Sequence, residues 1–207
     1  MELAGLPSEE KFVSDANPYR LFIALALPPA VKAELGRVQH ELRELLPPHS
    51  ASWTKLDNLH LTLRFLGDVD PGRVPELEQS FRAAATGIGG LDLLCERLGC
   101  FPDLRFPRVV WAWVHDVEEK LTALAQQVNE AVAPFAERTA ENSFIGHITL
   151  ARPKQIKRPD AERLAEFVTG AVTRRFGQWR ASEVELIRSE LLPAGSRYTT
   201  LARASLL

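Results

Sequence analysis

The stretch NLHLTLRFLG at residues 58–67 has the alternation of a β-strand and fixes how the rest of the chain is interpreted. Successive strand side chains point to opposite faces, so His60 and Thr62 share one face while the leucines between and beside them occupy the other. A half-buried strand with a polar outer face accounts for one such pair as readily as a reactive site does, because short motifs arise by chance.

A second copy of the same pattern changes that balance. GHITLARP at residues 146–153 again places a histidine and a threonine, His147 and Thr149, on one face of an apolar strand. Two such pairs in one chain are improbable by chance. The repeat therefore indicates an internal duplication, a shared function, or both.

The composition is that of an ordinary globular protein. The chain has 207 residues, of which 45% are hydrophobic and 25% charged, enough for one domain or two small lobes. The formal net charge is −2 and the isoelectric point about 6.2, which excludes a global basic field of the kind that coats double-stranded nucleic acid. Any contact with nucleic acid must be local.

Cysteine usage and hydropathy predict a cytoplasmic protein without a membrane span. Cys95 and Cys100 are too few for a disulfide framework, and neither belongs to a cluster with zinc-ligand spacing. No apolar run approaches the roughly 18 residues of a transmembrane helix. The opening residues MELAGLPSEEKF lack the basic start and apolar middle of a signal peptide.

Hydrophobic periodicity predicts the same order of elements twice. Residues 1–18 are polar and aperiodic, and we expect them to form a flexible extension. The first half then contains, in order, strand 20–28, helix 29–46, motif strand 58–67, helix 71–86 and strand 91–101. The second half contains strand 108–114, helix 117–133, motif strand 145–152, helix 159–175 and strands near 180–189 and 197–204. We therefore expect two related lobes, one from each half, facing each other across a cleft.

Two facing imidazoles suit a reaction that needs one acid and one base near neutral pH. Two neighbouring hydroxyls add neutral donors for an anionic substrate such as a phosphodiester. The remaining histidines, His40, His49 and His115, fall on a helix, in a loop and at a strand end, so they predict no metal site. There is no glycine-rich phosphate loop and no nucleophile elbow.

On these motifs the chain resembles the 2H phosphoesterases, and within them the RNA 2′,3′-cyclic phosphodiesterases, historically called 2′-5′ RNA ligases. The resemblance runs from Arg20 to Leu207. It is carried by the segments RLFIALALP, NLHLTLRFLGDV, LGCFPDLRFPRVVWAWV, HITLARP and SELLPAGSRYTTLARASL. One departure is Gly146, since the family usually has proline before the second histidine, and we expect this change to loosen the entry to the strand.

The resemblance implies an α+β fold of two pseudo-symmetric lobes, each a mainly antiparallel β-sheet with helices on its outer face, around a central cleft. Residues 19–207 would form this single bilobal domain, which we expect to be a monomer.

The resemblance also implies the chemistry. His60 would be the proton donor and His147 the proton acceptor, assisted by Thr62 and Thr149, in the hydrolysis of RNA 2′,3′-cyclic phosphate ends to 2′-phosphate ends. No metal or organic cofactor is implied. Reversible 2′-5′ RNA ligation stays open as a second activity.

Three further residues are candidates for substrate binding. Arg64 has the strand parity of His60 and is a candidate phosphate ligand, with a surface ion pair as the equal alternative. Arg152 is out of phase with His147 and is expected at the strand's end, where it begins the basic segment RPKQIKRP. Tyr198 is a candidate for stacking a terminal base, a role for which Trp53 and Phe22 are weaker candidates because core packing explains them better.

Two other functions compete with RNA-end hydrolysis. One is a module that binds RNA or nucleotide ends without turnover, and the other is a cyclic phosphodiesterase of a small nucleotide. The presence of both His-x-Thr pairs favours an enzyme, since a binding module would tolerate the loss of one histidine.

Overall fold

A computed structural model describes residues 17–139, 143–154, 156–193 and 195–206. The predicted extension lies almost entirely outside these residues. The strands are β1 Tyr19–Ala26, β2 Ala51–Trp53, β3 His60–Val69, β4 Leu91–Phe101, β5 Val109–His115, β6 His147–Pro153, β7 Arg175–Ala181, β8 Glu183–Leu192 and β9 Gly195–Ser205. The helices are α1 Pro29–Leu45, α2 Val74–Ala85, α3 Lys120–Val132 and α4 Arg158–Gly170, with 3₁₀ turns at Leu56–Asn58, Pro71–Arg73 and Ala133–Phe135.

The strands form two antiparallel sheets, each covered by two helices, which confirms the predicted α+β architecture. Lobe 1 has the strand order β3-β1-β8-β9, with α2 and α3 packed against it. Lobe 2 has the order β2-β6-β5-β4-β7, with α1 and α4 packed against it. Among the described helices, none combines the length and apolarity needed to cross a bilayer.

The prediction that each half of the chain builds its own lobe is wrong. Lobe 1 combines β1 and β3 of the first half with β8 and β9 of the second, and lobe 2 combines β5, β6 and β7 of the second half with β2 and β4 of the first. The exchange follows from antiparallel pairing: β4 forms a hairpin with β5 and so joins lobe 2, and β8 pairs with β1 and so joins lobe 1. Helices α1 and α3 are exchanged in the same way.

Helix α1 shows how local sequence produces the packing. Pro29 occupies its first turn, where a missing N–H costs nothing, and the helix ends at Leu45 just before Pro47. Its buried residues recur at helical spacing and join the main core: Val31, Leu35, Val38 and Leu42.

The sequence-based prediction failed where elements are short or follow a helix directly. Strand β2 was not predicted, and β7 begins at Arg175, the residue at which the predicted fourth helix was expected to end. Helix α3 begins at Lys120 rather than at residue 117, and the Asp116 carboxylate accepts a hydrogen bond of 2.9 Å from the Lys120 amide.

Candidate active site

The two motif strands begin at the two histidines and have the same alternation of burial. His60 and Thr62 are partly exposed, whereas the leucines that separate and follow them are buried. His147 and Thr149 are likewise partly exposed on β6. Strands β3 and β6 contact each other across the two sheets. The two His-x-Thr pairs therefore face one cleft between the lobes.

The backbone orients both imidazoles in the same way. His60 Nδ1 donates to the carbonyl oxygen of Asn58 at 2.7 Å, and His147 Nδ1 donates to that of Ile145 at 2.8 Å. A carbonyl can only accept, so Nδ1 carries a proton in both rings. In each ring, Nε2 is the nitrogen that takes no part in this backbone hydrogen bond.

Aromatic rings enclose His60 in lobe 1. The Phe22 ring lies 4.7 Å from the imidazole between ring centroids, and the Tyr198 ring lies 5.4 Å away, edge-on. Phe22 is buried in a small cluster with Ala24 and Ile187, separate from the main core. The Phe22 ring of this cluster packs against the His60 imidazole.

A second pair of aromatic rings borders His147 in lobe 2. The Phe101 ring is edge-on at 5.1 Å, and the Trp111 ring lies 6.2 Å away. Gly99 is required here because a Cβ would lie 2.3 Å from the Trp111 ring. The glycine thus allows the indole to lie across β4.

The pKa of His60 is lowered, and burial is the largest cause. The hydrogen bond to Asn58 opposes this shift, while the positive charges of Lys32 and His147 add to it. Lys32 lies on α1 and lines the same pocket of about 230 Å³ as His60 and Tyr198. Its Nζ donates to the carbonyl oxygen of Asp57 at 2.9 Å. No local pattern marks Lys32, because α1 meets the 3₁₀ turn that precedes β3 only in the folded chain.

A β-bulge follows the threonine in each motif strand. In β3, Thr62 pairs with Ala24 and Arg64 with the adjacent Ile23, so Leu63 is an extra residue without a partner. In β6, Leu150 is the corresponding extra residue. A bulge reverses the phase of the side chains that follow it. The residue five positions after each histidine, and not the one four positions after, therefore returns to the histidine's face.

The expectation that Arg64 shares the face of His60 is wrong for this reason. Its side chain is buried, and its Nη2 donates to the carbonyl oxygen of Arg138, beyond α3. Burial lowers the Arg64 pKa. Phe65, 60% exposed, takes the outward position instead. The structure thus separates Arg64 from the cleft.

The bulge has the opposite consequence for Arg152. It is the second-last residue of β6, at the strand's end as expected, but it is exposed between buried Ala151 and Pro153 and so takes the face of His147 despite its sequence parity. Its charge lowers the pKa of Tyr198 in the other lobe, although burial dominates and the net shift is upward. The structure therefore brings Arg152 and Tyr198, two of the three candidate binding residues, to opposite sides of one cleft.

Gly146 does not loosen the entry to β6. A Cβ at this position would lie 2.3 Å from the carbonyl oxygen of Val114, and the Gly146 carbonyl oxygen accepts a hydrogen bond from the Val114 amide at 2.8 Å. A side chain of any kind, including proline, would collide with β5. Glycine here permits close approach of the two strands.

The weaker sequence candidates have other roles. Trp53 packs against the main core with the Arg43 guanidinium over its ring at 4.5 Å. Arg158 forms an ion pair with Glu162 along α4 at 2.8 Å. Across the described ranges, no group of three or more His, Cys, Asp or Glu side chains is arranged to hold a metal ion.

The chain is similar to known phosphoesterases over most of its length. The model of the family described as LigT like Phosphoesterase matches residues 25–111 and 113–198. A curated RNA 2′,3′-cyclic phosphodiesterase of Methanothermobacter thermautotrophicus is 31% identical over 88% of this chain and 96% of its own length. Another, from Archaeoglobus fulgidus, is 30% identical over 88% of this chain and 97% of its own.

Two crystal structures share the fold over nearly their full length. A protein of Thermus thermophilus superposes with a TM-score of 0.73 at 29% identity, covering 90% of this chain and 97% of its own. LigT of E. coli, crystallised with 3′-AMP, has a TM-score of 0.70 at 27% identity, covering 91% and 98%.

Proposed function

This chain belongs to the LigT-like phosphoesterases, and we propose that it hydrolyses RNA 2′,3′-cyclic phosphate ends to 2′-phosphate ends. The observation that carries the proposal is the pair of histidines at one cleft, each with Nδ1 bound to a backbone carbonyl. This bond fixes the direction of each ring, and we propose Nε2 as the nitrogen that transfers protons. The names of the curated relatives support RNA as the substrate.

The proposed reaction is one displacement at phosphorus. Water attacks the cyclic phosphate, and His147 Nε2 accepts its proton while the new P–O bond forms. The bond between phosphorus and the 3′ oxygen breaks, and His60 Nε2 donates a proton to that oxygen. The product carries a 2′-phosphate and a 3′-hydroxyl, and transfer of one proton between the histidines restores the enzyme.

The lowered pKa of His60 fits a proton donor that becomes protonated when the anionic substrate binds. Burial and the Lys32 charge lower the His60 pKa in the free enzyme, which makes the imidazolium a stronger acid. A bound phosphodiester anion raises that pKa again because it stabilises the positive ring. The donor is thereby protonated when the substrate is in place.

Thr62 and Thr149 are proposed to donate hydrogen bonds to the non-bridging phosphate oxygens. Their partly exposed hydroxyls lie one alternation beyond each histidine, and a β-branched side chain has few rotamers. Arg152 is proposed as the charged phosphate ligand and Tyr198 as a contact to the terminal nucleoside. Arg64 is no longer proposed as a ligand, because it is buried away from the cleft.

No metal is proposed to take part, since the acid and base are both supplied by histidine. We also propose that residues 19–207 act as one bilobal domain and as a monomer, because both histidines come from the same chain. A reducing cytoplasm suits Cys95 and Cys100, which are both buried free thiols. Reversible 2′-5′ ligation would use the same two histidines with their protonation states exchanged.

The first test is a product assay on a short RNA that ends in a 2′,3′-cyclic phosphate. We expect a 2′-phosphate product, identified by its resistance to an enzyme specific for 3′-phosphates. A 3′-phosphate product would contradict the proposed roles of the histidines. Binding of the RNA without turnover would instead favour an end-binding module, and turnover of cyclic mononucleotides alone would favour a small-nucleotide enzyme.

A further inference from the structure

The loop of residues 102–108 leaves lobe 2 at the edge of the cleft. It begins after Phe101, the last residue of β4, whose ring touches His147 edge-on at 5.1 Å between centroids. It is closed by a backbone hydrogen bond of 2.7 Å from the Arg108 amide to the Phe101 carbonyl oxygen. The loop is therefore anchored beside a proposed catalytic histidine.

The loop is held in shape by its own polar groups. The Asp103 carboxylate accepts hydrogen bonds from the amides of Arg105 at 2.8 Å and Phe106 at 2.9 Å. Aspartate in this arrangement substitutes for a backbone turn. The following Pro107 is buried, which fixes the return to β5. A loop built in this way loses little conformational entropy when it binds a ligand.

The side chains that this loop displays are not explained by folding. Phe106 is 72% exposed and Leu104 is 37% exposed. Arg105 and Arg108 are exposed, and neither forms an ion pair with any residue in the described ranges. Many other arginines of the protein are paired with carboxylates, for example Arg174 with Glu41 at 2.6 Å. An exposed ring beside two unpaired guanidinium groups favours a ligand that is both flat and anionic.

We propose that the 102–108 loop binds single-stranded RNA on the 5′ side of the terminal nucleotide, an inference that rests on the proposed function. Phe106 stacks a base, and Arg105 and Arg108 bind backbone phosphates. Unpaired bases and phosphates together are what an aromatic ring flanked by arginines binds in other single-strand sites. The location fits because the terminal phosphate would occupy the histidines, and the loop starts directly after Phe101, whose ring touches His147.

The test compares two substrates in the same enzyme. One is a nucleoside 2′,3′-cyclic phosphate, which lacks the upstream nucleotides that the loop is proposed to bind, and the other is a short single-stranded RNA with the same cyclic end. Phe106→Ala should raise KM for the RNA about fivefold to a hundredfold, the usual effect of losing one stacked base. It should leave kcat for the RNA and kcat/KM for the mononucleotide unchanged.

The charge contribution is tested by salt dependence. Replacing Arg105 and Arg108 together by glutamine should flatten the plot of log KM for the RNA against log salt by about 1.4, the slope of two phosphate contacts on a single strand. Matched controls are Val117→Ala, at a 92% exposed apolar position, and Arg138→Gln, at an exposed arginine beyond α3. Neither control should change the RNA KM.

Two outcomes would overturn the proposal: an RNA KM unchanged by the loop variants, or an equal loss on both substrates. Circular dichroism of each variant checks that the fold is retained. If the unaltered enzyme hydrolyses neither substrate, the proposed function fails, and the loop is judged by binding alone. Fluorescence anisotropy with a labelled RNA ending in a 2′-phosphate should then still show weaker binding of Phe106→Ala, and equal binding would reject the loop.

Discussion

The two halves of the site have the same backbone and different surroundings. His60 and His147 each begin a strand, donate Nδ1 to the carbonyl two residues earlier and touch two aromatic rings. His60, however, lies over its own buried cluster and close to the cation of Lys32. Duplication therefore fixed the geometry of two imidazoles, and their unequal surroundings are what can give them opposite tasks.

The β-bulges in the two motif strands also combine the same backbone with different side chains. Both motif strands return the fifth residue after histidine to the cleft, but that residue is Phe65 in lobe 1 and Arg152 in lobe 2. This position therefore carries an exposed aromatic ring in lobe 1 and an exposed cation in lobe 2. Equivalent positions in a duplicated fold can carry different chemistry as long as the backbone is preserved.

The largest expected loss of activity follows from replacing each of the two histidines separately. His60→Ala and His147→Ala should each lower turnover of a cyclic-phosphate RNA by at least about a hundredfold, because each removes a general acid or base. The double variant should lose little more, since the two groups act in one step. Steady-state rates measure this, with thermal unfolding as the control for folding. Near-normal hydrolysis by either single variant would refute the two-histidine mechanism.

The next comparison concerns the hydroxyls. Thr62→Val and Thr149→Val keep the β-branched shape and remove one donor each, so we expect kcat to fall about tenfold to a hundredfold in both. Comparable losses would indicate that both lobes hold the transferred phosphate. A loss confined to one variant would show that the site is less symmetric than its backbone.

Separate replacement of Arg152 and Arg64 tests whether the bulges place the first arginine in the cleft and the second outside it. Arg152→Met should raise KM about tenfold or more by removing a charge-assisted phosphate contact, without changing thermal stability. Arg64→Met should do the reverse, lowering stability by about 1–3 kcal/mol through the lost bond to the Arg138 carbonyl, with kcat/KM nearly unchanged. An activity loss in a stably folded Arg64 variant would restore Arg64 as a ligand.

The pH profile sharpens the difference between the histidines. We expect kcat/KM to be bell-shaped in pH, because hydrolysis needs His60 protonated and His147 neutral. Loss of the His60 proton contributes to the alkaline limb. Since the two rings interact, the pKa values read from the limbs belong to the coupled pair. Lys32 lowers the His60 pKa, so Lys32→Gln should raise it and move the alkaline limb to higher pH by a fraction of a unit. Profiles from about pH 4 to 9 measure this around the reference histidine value. A shift to lower pH would contradict the assigned sign.

The smallest expected effect is that of a chelator. Both proton transfers are assigned to imidazoles, so activity should survive EDTA. Rates measured before and after dialysis against EDTA decide this. Activity that is lost and then restored by one divalent ion would require a metal in the mechanism.

The sequence by itself determined the parts of this protein that depend on local pattern. Alternation and helical spacing predicted most strands and all four helices, since each buries one face, and the repeat predicted two His-x-Thr strands in related lobes. The residue types predicted acid–base chemistry on a phosphate, because two histidines can supply an acid and a base and two threonines can donate to an anion.

Only the tertiary structure decided which strands share a sheet and which side chains after the threonines face the cleft. The exchange of β4 and β8 between lobes depends on pairing between distant segments, which no local window contains. The bulges at Leu63 and Leu150 are set by the neighbouring strands, and they reverse the parity that placed Arg64 in the cleft and Arg152 outside it. Lys32 likewise meets His60 only because α1 contacts the 3₁₀ turn that precedes β3. A single extra residue in a strand leaves hydrophobic periodicity almost unchanged, yet it decides which face each following side chain takes.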